Sequence, residues 1–204
     1  MRLFTSILLF FIAFSTLQSQ DRTFDAGLVL GFNMSQIDGD DMGGAWVGYR
    51  QLGLSAGGRV QFNIAEKWVT GFEILFSQLG SDRGKFDIGL YDNIRLNCVE
   101  VPVTITFLDW ADEFDGQDFY HIGFNAGLTY ARTINYKVIR VDGADITEET
   151  DFQPNMVMYH LGFTYYINPK FGVTALWTKG INDFDRSNEF FISRQITLKG
   201  MYYF

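Results

Sequence analysis

Residues 192–204 most constrain what this chain can become. Even positions read Ile192, Arg194, Ile196, Leu198, Gly200, Tyr202 and Phe204, while odd positions read Ser193, Gln195, Thr197, Lys199, Met201 and Tyr203. One face is mostly apolar and ends in two aromatics; the other is mostly polar. A period of two is a strand period. A strand that stays regular up to an aromatic carboxyl end needs a partner along its whole length.

Seven more segments carry the same alternation, and the spacing predicts strands near 24–34, 50–63, 67–80, 94–107, 119–132, 155–167, 170–180 and 190–204. In the second, Leu52, Leu54, Ala56, Val60 and Phe62 oppose Gln51, Gly53, Ser55, Gly57, Arg59 and Gln61. In the fourth, Val99, Val101, Val103, Ile105 and Phe107 oppose Cys98, Glu100, Pro102 and Thr104. Each segment reaches the roughly 9–11 residues with which a tilted strand crosses a bilayer. Connections near 64–66 and 168–169 are short. Those at 35–49, 81–93, 133–154 and 181–189 are long, and 108–118 is an intermediate loop. Alternation of that kind places the short turns and both termini in the periplasm.

Met1 to Gln20 reads as a secretory signal: Arg2, an apolar stretch from Leu3 to Phe14, then small and polar residues. The domain expectation is therefore a signal at 1–20 and a barrel at 21–204. Arg2 is the leader's only charged residue, so the mature net charge moves from −8 to −9. No basic stripe is present to neutralise phosphates, which argues against nucleic acid. Cys98 is the single cysteine and forms no internal disulfide.

Eight antiparallel strands after a leader also suit a secreted, lipocalin-like barrel, but that fold hides its apolar face and solvates the charged one. Here the polar face is rich in Gly, Ser, Thr and Asn, which suits a narrow interior. The apolar face carries Trp68, Tyr130, Tyr165, Trp177 and Tyr202 near segment ends, like interfacial girdles. The expected fold is all-β: an eight-stranded, antiparallel, transmembrane up-and-down β-barrel in the outer membrane.

Several segments resemble the PorT-type, or "porin family", outer-membrane β-barrel proteins: GLVLGFN at 27–33, GLSAGGRVQF at 53–62, KWVTGFEILFSQLGS at 67–81, CVEVPVTI at 98–105, FYHIGFNAGLTYA at 119–131 and ITLKGMYYF at 196–204. Val99-Glu100-Val101-Pro102 is similar to that family's fourth-strand motif. The carboxyl end resembles the closing strand of such barrels, which makes Tyr202 and Phe204 the expected signal read by the barrel-assembly machinery. The resemblance implies an envelope protein, and the family's founder assists a protein-secretion system.

Candidate chemistry concentrates on the polar face. Residues whose numbers sum to about 132 should face each other across strands two and three, which pairs Arg59 with Glu73. Glu100, His121, His160 and Lys199 share that face. Charges inside a small barrel need partners, so these six are expected to form a structural network filling the lumen. A proton or ion path is the functional alternative, and a His-based enzyme needs a nucleophile within reach. Asp38, Asp40 and Asp41, and separately Asp145, Glu148, Glu149 and Asp151, offer oxygens to calcium but lack EF-hand spacing. They read as solvated loops.

The sequence thus points to a non-enzymatic barrel without cofactor, metal or catalytic residues. Its expected partners are outer-membrane lipid, the assembly machinery and another envelope complex, and its expected role is structural or accessory. A narrow channel for small solutes or ions is the alternative, and an outer-membrane enzyme the third. Deleting Tyr202 to Phe204 would open a backbone edge that lipid cannot satisfy. Fractionation should then show degraded or aggregated chain and no heat-modifiable band in the outer membrane.

Overall fold

A computed structural model describes residues 24–39, 48–83, 91–183 and 191–204. The expected signal at 1–20 lies outside them. The strands are β1 (Phe24–Asp38), β2 (Gln51–Ala65), β3 (Trp68–Asp82), β4 (Tyr91–Phe114), β5 (Gln117–Arg140), β6 (Asn155–Asn168), β7 (Phe171–Gly180) and β8 (Ile192–Tyr203). Each pairs antiparallel with the next, and β8 closes on β1 from Gly27↔Tyr203 to Asp38↔Ile192. The periodic run at 192–204 is the seam that closes the barrel.

Alternation sets the two faces. Leu28, Leu30, Phe32, Leu54, Phe72, Ile74, Phe124, Phe163 and Leu198 stand outward and exposed, while Asn33, Ser55, Glu73, Thr129, Thr174 and Thr197 are buried between them. This arrangement is the reverse of a lipocalin. An apolar belt of that extent is untenable in water and natural in hydrocarbon. No helix among the described residues is long and apolar enough to cross a membrane.

The interior is layered rather than polar throughout, and this corrects the simple expectation of a polar lumen. At the long-connection end, Ile37, Leu79, Ile94, Leu96, Val138, Met156 and Met158 form an apolar cluster. Phe152 and Phe191 join it from the connections outside β5–β6 and β7–β8. A smaller cluster of Val29, Leu75, Tyr166, Met201 and Tyr203 is joined by Leu108 and Phe119, toward the short-turn end. The charged layer lies between the two.

The 108–118 stretch is not a loop. β4 and β5, at 24 residues each, pair on to Phe114↔Gln117. Asp115 (φ 54°) and Gly116 (φ 76°) turn the chain in the two-residue, doubly left-handed geometry that Asp-Gly favours. β5 likewise runs to Arg140, into the stretch expected to be loop.

Depth should decide what the outer face tolerates. Ile74 is 67% exposed at mid-strand, and Ile64 is 62% exposed beside the β2–β3 turn. Ile74→Arg should lower stability by about 2–4 kcal/mol and Ile64→Arg by about 0–1 kcal/mol, read by urea unfolding in lipid vesicles. Equal losses would contradict the membrane placement.

Candidate functional site in the barrel lumen

The lumen site is centred on Glu73. Its rung on β3 faces Arg59 on β2: the Glu66–Lys67 turn pairs Ala65 with Trp68, and a bulge between Asn63 and Ala65 shifts the register by one residue, to Asn63↔Val69 and Arg59↔Glu73. Arg59 Nη1 donates to Glu73 Oε1, and Lys199 Nζ on β8 donates to Glu73 Oε2. All three side chains are buried. One carboxylate thus bridges a cation from the neighbouring strand β2 and another that reaches it across the lumen from β8, which satisfies both of its oxygens. A buried pair is sustained only when such additional bonds are made.

Glu100 occupies the next rung inward on β4. Ser77 Oγ donates to its Oε2, and Gln195 Nε2 donates to Oε1 at 3.0 Å. The Val99–Pro102 motif has a local consequence here. The β3–β4 pairing steps from Phe72↔Val103 to Leu75↔Glu100, and Pro102 has no N–H to place in the gap. Glu73 lies opposite that gap.

His160 on β6 completes the layer. Its Nε2 is 3.0 Å from Thr104 Oγ1 and its Nδ1 2.9 Å from Thr129 Oγ1, so both ring nitrogens are engaged. Glycines make room for these long groups. A Cβ on Gly71 would lie 2.6 Å from Arg59 Nη2, and one on Gly127 2.6 Å from His160 Nε2. Close approach explains why the polar face holds glycine despite the weaker strand it makes. A lattice of hydroxyls and amides flanks the charges: Thr106 to Asn125 (2.8 Å), Asn125 to Thr164 (2.9 Å) and Thr164 with Thr174 (2.7 Å). The space left among Ser55, Glu100, Thr129, Gln195 and Lys199 is about 10 Å³, at the lower limit for one water.

Arg59, Glu73, Glu100, His160 and Lys199 therefore lie in one layer, but His121 does not. It sits past Ile122↔Tyr165, the last pair between β5 and β6. Its Nε2 is 2.9 Å from Asp112 Oδ2, its Nδ1 is 3.0 Å from the Tyr166 carbonyl oxygen, and its ring stacks on Tyr165 at 5.6 Å. Strand parity points inward at this position, but the wall has ended, so the ring turns to the rim.

Sequence reasoning missed the apolar layer, although Ile94, Leu96 and Met156 continue the inward parity of β4 and β6. Among the described residues no group of His, Cys, Asp or Glu is placed to hold a metal. Asp40 and Asp41 lie outside them. Asp38 pairs with Arg194, and Asp145 accepts from Thr147 and faces Lys137 at 3.6 Å. In the adjoining turn, hydrogen bonds from Arg140 hold the Asp142 carboxyl down at about 2. Tyr202 and Phe204 stand exposed on the outer face in edge contact at 5.9 Å, and the Phe204 N–H donates to the Ala26 carbonyl at 3.1 Å.

Removing Glu73 leaves Arg59 and Lys199 facing each other in the wall's interior. Glu73→Ala should cost about 3–5 kcal/mol in urea unfolding. Ser55→Ala, which removes one neutral hydroxyl contact at 3.0 Å, should cost about 1 kcal/mol. Similar losses for the two would show that the lumen is wet enough to solvate the charges.

Among the curated proteins none matches this sequence. Solved structures similar to it include Ail, the attachment invasion locus protein of Yersinia pestis, at 11% identity, covering 89% of this chain and 99% of that one with a TM-score of 0.48. Neisserial surface protein A is 10% identical over 89% of this chain and 97% of its own, with a TM-score of 0.49. OprG from Pseudomonas aeruginosa is 12% identical over 88% and 91%, with a TM-score of 0.40. The family model described as outer membrane protein beta-barrel domain matches residues 18–186. With most of its length matched and its strands closed into a lipid-faced barrel, the chain belongs to the outer membrane protein beta-barrel domain family.

Proposed function

We propose that this protein is a sealed, non-enzymatic outer-membrane barrel that works through its ends, in a structural or accessory role within an envelope complex. In this reading the short-turn rim and both termini face the periplasm. Lipid surrounds the wall, and the barrel-assembly machinery receives the chain by Tyr202 and Phe204.

The filled lumen carries the reading. The pocket among Ser55, Glu100, Thr129, Gln195 and Lys199 holds only about 10 Å³, and apolar clusters lie on either side of the charged layer. An ion crossing such clusters gives up its hydration without replacement, at large cost. Eight strands leave an interior just wide enough for side chains. The same observations weigh against a narrow channel. They also weigh against an enzyme in the lumen, since His160 is 1% exposed with both nitrogens engaged. The PorT-type resemblance of segments such as CVEVPVTI adds support for a place in a protein-secretion or assembly complex.

Planar-bilayer recording of purified barrel tests the reading. The expected result is no steady unit conductance above the bare membrane. Large, stable single-channel steps would replace the sealed barrel with the channel.

A further inference from the structure

The β4–β5 hairpin outgrows the wall. On one side, β4 leaves β3 at Trp68↔Phe107, with the Leu108 N–H donating to the Lys67 carbonyl at 2.8 Å. On the other, β5 leaves β6 at Ile122↔Tyr165. Pairing between β4 and β5 continues to Phe114↔Gln117. Among the described residues, no strand lies against the other edge of β4, the side away from β5, from Asp109 to Phe114. A free ribbon edge is a template for another strand.

The ribbon also has a strong chemical bias. Between Leu108 and Tyr120 there are five carboxylates, Asp109, Asp112, Glu113, Asp115 and Asp118, and no Lys or Arg. Trp110 and Phe114 are 58% and 51% exposed. Trp110 holds φ 62°, a backbone region that a bulky residue occupies only under local constraint. Beneath the ribbon, toward the β2–β3 turn, lies a cavity of about 420 Å³. Its walls include Ile64, Leu108, Phe119 and Tyr120, together with the carboxylates of Glu66 and Asp118. An apolar wall with carboxylates suits a Lys or Arg side chain, whose stem packs while its head is neutralised.

We propose that this ribbon docks an extended, basic segment of another envelope protein. The segment adds as a strand along the free β4 edge and places a Lys or Arg side chain in the adjoining cavity. Charge selects this occupant. A second copy of this chain, net −8 over its full length, brings the same carboxylates to the ribbon and is repelled, as is a surface of anionic headgroups. The inference rests on the accessory reading above and on its periplasmic placement of the short-turn rim.

The test uses the full barrel in nanodiscs and two labelled ten-residue probes, one alternating Val and Lys, the other Val and Glu. Fluorescence anisotropy should show the Val–Lys peptide bound at least about tenfold more tightly, with affinity falling as salt rises. The triple variant Asp109→Lys/Glu113→Lys/Asp118→Lys alters only exposed positions and should keep heat-modifiable barrel. It should lose at least about tenfold in Val–Lys affinity. In cells, a photo-crosslinking residue at Ala111 should capture a basic, extended segment of another protein. Equal binding of the two peptides, an unaffected triple variant, or crosslinks only to lipid, to this chain or to nothing would overturn the assignment. A barrel that neither conducts nor binds Val–Lys removes the docking site and leaves the sealed barrel standing. One that conducts removes the sealed barrel, and the peptide result alone then decides the ribbon.

Discussion

The structure depends on one constraint: hydrocarbon offers nothing to a backbone N–H or C=O, so every strand must find two neighbours. β8 meets that demand by pairing with β1 over twelve positions, from Gly27↔Tyr203 to Asp38↔Ile192. Closure fixes the strand count, and eight strands fix an interior only as wide as the side chains that enter it. Large polar groups enter where a neighbour gives up its Cβ, as Gly71 does for Arg59 and Gly127 for His160. The glycine-rich polar face is therefore a consequence of closing so small a ring.

Inside that ring charge is costly, and Glu73 is the means of holding it. It takes one bond from Arg59 and another from Lys199, tying β2, β3 and β8 across the lumen. Glu100 is instead held by the neutral donors Ser77 and Gln195. Two carboxylates and two cations thus share a layer closed off by apolar side chains at both ends. The arrangement fills the barrel and fastens one side of its wall to the other. Partner recognition then falls to the rims.

Much of this was legible in the sequence. Period-two alternation placed all eight strands, because membrane strands expose one face to lipid and cannot tolerate a slip of one residue. The Arg59–Glu73 pairing followed from the short connection expected at 64–66; the chain turns at Glu66–Lys67 instead, and the bulge between Asn63 and Ala65 brings the register back to Arg59↔Glu73. Three features were not legible, each for a physical reason. The wall ends before His121, so parity alone could not turn its ring toward Asp112. The apolar layer depends on Phe152 and Phe191, which reach the lumen from connections whose course no alternation describes. The ribbon at 108–118 read as a loop because its acids hide the strand pattern, although Asp115-Gly116 is a hairpin signal in its own right.

Cys98 gives the most direct test of a dry, filled lumen. It is the chain's single cysteine, fully buried in the apolar layer beside Thr133. A water-soluble maleimide applied to folded barrel in lipid vesicles should leave it unlabelled, with stoichiometric labelling once urea unfolds the protein. Rapid labelling of the folded barrel would mean that water reaches the centre of the lumen, and the sealed-barrel account would be wrong.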